Sequence, residues 1–196
     1  METILNALNP SQREAVEHID GAMLILAGAG SGKTKTLTTR LAYLVGEVGI
    51  DPANTLTLTF TNKAAAEMRE RALKLMPAKV SYPPLLCTFH KFGLLFLKFH
   101  IEKLGRSNAF VIIDSDDKKR LLRSIAKELK VDLNISFIAS EISKYKNSLL
   151  SPELVLEKAE LPDYKQIANI YVKYQANIEE NNLVDFDDLL MLTYKI

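Results

Sequence analysis

Apolar and polar positions divide the chain into two textures. Up to about residue 90, short continuous apolar runs alternate with amphipathic stretches. Asn9-Pro10 opens a first helix: Asn suits the N-cap, and Pro suits the first helical position, where its missing N–H costs nothing. Residues 22–27, AMLILA, form an unbroken apolar run, as a strand buried on both faces would. A glycine-rich stretch follows, then a helix with Leu37, Leu41 and Leu44 on one face. Residues 55–60, TLTLTF, predict a second strand, and Thr61 or Asn62 can cap a third helix with Ala65, Met68, Ala72 and Leu75 on one face. Residues 84–89, PLLCTF, predict a third strand. Strands and helices in alternation imply an α/β fold, a mainly parallel sheet covered by helices.

The pattern turns helical after about residue 91. Phe92, Phe96 and Phe99 are expected on one helix face. FVIID, residues 110–114, is a brief apolar run, after which Asp114 or Ser115 caps a helix that turns Leu121, Leu122, Ile125 and Leu129 inward. Tyr164, Ile167, Tyr171, Tyr174 and Ile178 recur at steps of three and four, the period of a helix with one buried face. Residues 1–90 are therefore expected as one domain, 91–183 as an all-helical insertion, and 184–196 as the chain returning to the first domain. Asp185 is expected to cap the last helix.

Charge adds little at the level of the whole chain: 25 basic and 24 acidic residues leave a formal net charge of +1, so a nucleic-acid partner needs a local basic surface. Lys118, Lys119, Arg120 and Arg123 form such a cluster, as does KYKN at 144–147. Acidic residues interleave with the first cluster, which favours a solvated helix face over a DNA contact. A single cysteine, Cys87, excludes an internal disulfide and offers no zinc spacing. The first residues lack the basic-then-apolar order of a signal peptide, and no apolar stretch approaches the roughly 18 residues of a membrane span. A soluble cytoplasmic protein is expected, with no membrane partner.

The glycine-rich stretch is AGAGSGKT, residues 27–34. Glycines let consecutive backbone N–H groups curl inward around a phosphate, and the following helix adds its positive end. Lys33 is placed to reach the β and γ phosphates of ATP, and the Thr34 hydroxyl to hold Mg²⁺. The general pattern has Gly six residues before the lysine, where this chain has Ala27; Gly28, Gly30 and Gly32 keep the turn feasible. Strand before and helix after favour this P-loop reading over a flexible loop that binds nothing. Kinases, transporters, GTPases and helicases all remain open at this point.

Three further stretches narrow the class. LNPSQREAV at 8–16 precedes the loop, TFTNKAAAEM at 59–68 follows the second predicted strand, and CTFHKFG at 87–93 follows the third. Together with AGAGSGKT they resemble the superfamily 1 DNA helicases of the UvrD/Rep/PcrA group, over essentially the whole chain. YKNSLLSP and LVDFDDLL look most like the Rep branch. The resemblance implies a P-loop, RecA-like parallel sheet and a 3′–5′ helicase or translocase in replication or repair. In that group the loop commonly starts with Ala. The residue after GKT is often Arg; Lys35 here keeps the charge but loses bidentate bonding. The resemblance makes Gln12 the adenine reader, and an amide that both donates and accepts suits an adenine edge. It places Ala27, Gly28, Ala29, Gly30, Ser31, Gly32, Lys33, Thr34 and Lys35 around the nucleotide. It also implies single-stranded DNA contacts from Phe60, Thr61, Asn62 and Lys63 and from Thr88, Phe89 and His90. Aromatic and polar groups at strand ends are the usual means of holding single strands without reading sequence; the alternative is that Phe60 and Phe89 are core and the polar residues caps.

Such an ATPase also needs an apolar strand ending in Asp-Glu, for Mg²⁺ and for activating water. VIIDS at 111–115 comes nearest, but it has Ser115 in place of the glutamate and Asp114 where a helix cap is needed. LVDFDD lacks both the apolar run and the pair. The resemblance places the Asp-Glu strand soon after LVDFDDLL and a second RecA-like domain beyond it. The chain therefore reads as the first part of such a helicase, with an incomplete sheet, little nucleotide affinity and negligible hydrolysis by itself. A helicase–nuclease subunit of the RecB/AddA type and a non-catalytic single-strand-binding module are the alternatives. A small-molecule kinase leaves the three flanking stretches unexplained.

Overall fold

The computed structural model describes residues 2–76 and 82–196. The fold is α/β, mostly helical with small parallel sheets, and the chain divides into two compact units, Met1–Phe89 and His90–Ile196.

The first unit holds α1 (Glu2–Asn6), α2 (Pro10–Glu17), α3 (Lys33–Gly46), β1 (Leu56–Thr59), α4 (Asn62–Leu75) and β2 (Leu85–Thr88). The predicted caps form: the Asn9 side chain accepts from the Gln12 N–H at 2.9 Å, and Thr61 Oγ1 accepts from the Ala64 N–H at 3.1 Å. β1 and β2 run parallel, with Leu56 opposite Leu85 and Thr59 opposite Thr88. A core of Leu41, Ala42, Ala65, Met68, Ala72 and Leu86 joins α3 and α4 to the sheet.

Two expectations fail here. Residues 22–28 carry no strand, and Leu24 and Leu26 are 82% and 85% exposed. A strand buried on both faces needs a neighbour on each side, and among the described residues this sheet contains only β1 and β2. In α3 the buried positions are Thr36, Thr38, Thr39, Leu41 and Ala42, while Leu37 faces solvent.

The second unit contains α5 (Phe89–His100, whose first residue closes the first unit), β3 (Val111–Ile112), α6 (Ser115–Glu128), α7 (Ile135–Asn147), α8 (Pro152–Lys158), α9 (Pro162–Glu180), β4 (Leu183–Val184) and α10 (Phe186–Lys195). One core draws Leu122, Ile125, Ile138, Ile142, Tyr171 and Tyr174 from α6, α7 and α9. A second gathers Leu97, Ile101, Phe110, Val184, Leu189 and Leu192. β3 and β4 pair in parallel, Val111 with Leu183, so the brief apolar run at 110–114 has a partner some 70 residues later in the chain. Phe99 is exposed: α5 turns Gly93 and Leu97 inward, leaving Phe92 and Phe96 half-buried. Gly93 lets α5 and α10 touch, since a Cβ there would lie 2.3 Å from the Leu189 carbonyl oxygen.

Lys146, Tyr174 and Lys118 lock the start of α10 in place. The Lys146 ammonium, with no exposure, donates to Asp185 at 3.0 Å and to Asp188 at 2.8 Å. The Tyr174 hydroxyl donates to Asp185 at 2.7 Å. Lys118 leaves the solvated face expected for it: it is buried and bonds Asp187 at 2.7 Å and Asp185 at 3.1 Å. Asp185 caps α10 as predicted, through the Asp188 N–H at 2.9 Å.

Replacing Gly93 with Ala should cost about 1–3 kcal/mol in urea unfolding, because a backbone oxygen blocks the added methyl. Lys146→Ala should cost about 3–5 kcal/mol by the same measurement, because it leaves the buried Asp188 without a cation and Asp185 with Lys118 alone; wild-type stability in either variant would contradict this packing.

Candidate functional site

The glycine-rich loop lies at the start of α3. Gly30 and Gly32 take φ of 75° and 85°, a left-handed turn that residues with a Cβ adopt only under strain. The turn delivers the first N–H groups of α3 to the loop's mouth, where an anion is favoured. Lys33 curls back over the loop, and its ammonium donates to the carbonyl oxygens of Ala27 at 2.9 Å and Gly28 at 2.7 Å. Ser31 Oγ donates to the Gly28 carbonyl at 2.8 Å. Thr34 sits half-buried in the first turn of α3, and Ala29 is exposed at the loop's tip.

Gln12 connects α2 to this loop. Its Oε1 accepts from the Asn9 N–H at 3.2 Å, closing the capping box, and its Nε2 donates to the Ser31 carbonyl at 3.0 Å. A Cβ at position 32 would lie 2.8 Å from that Nε2, so glycine there serves the contact as well as the turn. Asn9, Gln12, Leu26, Gly28, Lys33 and Thr36 are among the residues that enclose a cavity of about 280 Å³. Lys33 and Gln12 bring an ammonium and an amide to its wall, whereas Thr34 does not line it. Lys35 points elsewhere: its ammonium donates to the Ala7 carbonyl at 2.9 Å and ties α3 to the turn before α2.

The ends of β1 and β2 lie side by side because the strands are parallel and in register. Phe60, directly after β1, is 86% exposed, and Phe89, directly after β2, is 38% exposed. Their rings pack 5.3 Å apart at 37°. An exposed aromatic pair of this kind is not core. Asn62 and Lys63 are exposed in the first turn of α4, Thr61 is engaged as its cap, and Thr88 is buried. His90 opens the second unit and meets the Phe186 ring edge-on at 6.3 Å.

Phe186 was not singled out by the sequence reading. Its signal was present: an aromatic residue within two positions of a short strand's end, as with Phe60 and Phe89, and half exposed in the structure. Asp114 is the cap it was expected to be. Its carboxylate accepts from the Asp117 and Asp116 N–H groups, both at 2.8 Å, and these bonds hold its pKa below the ordinary value.

Among the described residues no helix is long and apolar enough to cross a membrane, and no group of three or more His, Cys, Asp or Glu is placed to hold a metal ion. A family model described as the UvrD/REP helicase N-terminal domain matches residues 8–196. The chain is 39% identical over 98% of its length to an ATP-dependent DNA helicase PcrA of Leuconostoc citreum, of which it covers 26%. It is 38% identical over its full length to a probable DNA helicase II homolog of Mycoplasma capricolum and to an ATP-dependent DNA helicase PcrA of Staphylococcus aureus, covering 28% and 27% of them. The chain thus spans about a quarter of the length of these relatives, and it belongs to the UvrD/REP helicase N-terminal domain family.

Proposed function

We propose that this chain is the ATP- and single-stranded-DNA-binding first portion of an ATP-dependent 3′–5′ DNA helicase or translocase that serves replication or repair. The observation that carries the reading is the loop at the start of α3, where Lys33, the helix N-terminus and Gln12 converge on one cavity. Residues 1–90 form the N-terminal part of a RecA-like domain. Residues 91–183 form its helical insertion. Residues 184–196, which in this chain pack within the second unit, begin the path back.

On this reading the N–H groups of residues 28–34 take the α and β phosphates. Lys33 gives up the Ala27 and Gly28 carbonyls for the β and γ oxygens, a stronger, charge-assisted bond. Thr34 presents its hydroxyl to Mg²⁺, which when bound neutralises charge on the terminal phosphates. Gln12 exchanges its bonds to Asn9 and Ser31 for the adenine edge, so that filling of the base site reaches the loop through the same side chain. Bases stack on Phe60 and Phe89, with Asn62 and Lys63 at the backbone; His90 is a further single-strand contact on this reading. Hydrolysis needs an Asp-Glu strand end. The described strands are instead followed by Phe60-Thr61, Phe89-His90, Ile113-Asp114-Ser115 and Asp185-Phe186. Catalysis therefore draws on the remaining helicase domains, which are partners of this one.

One observation favours a second reading, a non-catalytic single-strand-binding module: Lys33 and both ends of the Gln12 amide are already bonded within the chain. Titration with a fluorescent ATP analogue and Mg²⁺ separates the two. Lys33→Ala should weaken nucleotide binding about tenfold or more, and neither protein should turn over ATP with or without single-stranded DNA. Nucleotide binding indifferent to Lys33 would favour the module. Turnover lost in Lys33→Ala would place a catalytic carboxylate within these residues, with Asp114 the first to test. Phe60→Ala should lower affinity for oligo-dT by roughly fivefold to hundredfold, while Lys33→Ala leaves it unchanged; unchanged oligo-dT affinity in Phe60→Ala would remove the stacking role.

A further inference from the structure

The cluster at the start of α10 is out of balance. In their ordinary states Asp185, Asp187 and Asp188 bring three negative charges against two positive ones, from Lys118 and Lys146. A buried charge without a counter-charge is costly, and a group so placed takes up or loses a proton instead. The hydrogen bonds indicate which carboxyl takes it. Asp185 accepts from Lys118, Lys146, the Tyr174 hydroxyl and the Asp188 N–H. Asp187 accepts from Lys118, the Ser143 hydroxyl and Asn147 Nδ2, and keeps some contact with water. Asp188 is wholly buried and has only Lys146, at 2.8 Å, and the Asp185 N–H, at 3.2 Å. It has the fewest donors and no exposure to solvent.

We propose that this cluster takes up one proton under mildly acidic conditions, that Asp188 holds it, and that the proton tightens the seat of α10 on α6, α7 and α9. Several charged or titratable groups surround Asp188, and Lys146 works against its protonation. From α7 comes Lys146, shared with Asp185. From α6 comes Lys118, which bonds Asp185 and Asp187 and is kept charged by them although burial works against it. From α9 come Tyr174 and Tyr171, whose hydroxyls stay neutral because burial and the neighbouring carboxylates push them up. Glu153 of α8 adds negative potential at Tyr171.

The two buried carboxyls are driven apart. Burial, outweighing the pull of Lys146, and repulsion from Asp185 lift Asp188 to about 6. Asp185 moves down: burial raises it, but Lys146 and Lys118 together outweigh that. The sign for Asp188 follows from its raised pKa: the folded form binds the proton more readily than the unfolded one. Its contribution to stability therefore grows as pH falls through about 6 and levels off near the unfolded carboxyl value of about 4. Asp185 acts in the opposite sense, and its stabilisation is lost only in stronger acid. The favoured window lies between the two.

The test is a ¹³C NMR titration of the aspartate carboxyl carbons in the unaltered chain, assigned through bonds, with hydrogen exchange of the α10 amides alongside. The Asp188 carboxyl should titrate near pH 6. Protection of the Leu189–Leu192 amides, corrected for intrinsic rates, should rise about tenfold between pH 7 and pH 5. Asp188→Asn should abolish that rise. Reading the unaltered chain keeps the test valid if the variant fails to fold. An Asp188 midpoint below about 4.5, a near-6 midpoint at another aspartate, or α10 protection that is flat or falling on acidification would overturn the proposal.

Discussion

Lys146 imposes the constraint on which the second unit is built. An ammonium group wholly removed from water must be met by carboxylates in good geometry, or the helix carrying it cannot pack. Asp185 and Asp188 meet it, and in doing so they fix where α10 begins. That position sets the rest in turn: Val184 joins β3, Gly93 lets α5 close on Leu189, and Phe186 is brought to His90. A run that reads as a simple helix start is the point where four helices are tied together.

The first unit is organised differently. Its loop is held by exposed, exchangeable bonds: Gln12 to Ser31, and Lys33 to two carbonyls. None of these carries the cost of a stranded buried charge when it breaks, so the loop can trade them for a ligand's oxygens. The same unit exposes apolar surface at Leu24 and Leu26, before the loop. An unpaired extended segment with apolar side chains invites a neighbouring strand, and until one is supplied it is a site for association. The second unit is rigid where it is charged, and the first is open where it is polar.

Family membership and local geometry bear on function from different sides. The family match covers nearly the whole chain, while the chain covers about a quarter of its relatives. What this chain can do alone is therefore a question for its own residues. They offer a cavity of about 280 Å³ beside Lys33 and Gln12 and an exposed aromatic pair at two parallel strand ends. Parallel strands in register bring their following residues together on one edge, which turns two separate sequence motifs into one surface.

The sequence by itself determined what is settled within a few residues. Asn9, Thr61, Asp114 and Asp185 were legible as caps because a cap is a bond between a side chain and an N–H two or three positions on. The loop was legible because glycines, a lysine and a helix start are enough to specify it. Only the tertiary structure decided the rest. Lys118 looked solvated among its acidic neighbours, and its burial depends on Asp185 and Asp187, nearly seventy residues away. Phe99 and Leu37 had helical spacing but face outward, because the inward stripe is chosen by whatever the helix packs against. The run at 22–27 has the composition of a buried strand yet forms none: a strand is a pairing, and its partners are not encoded in the run itself.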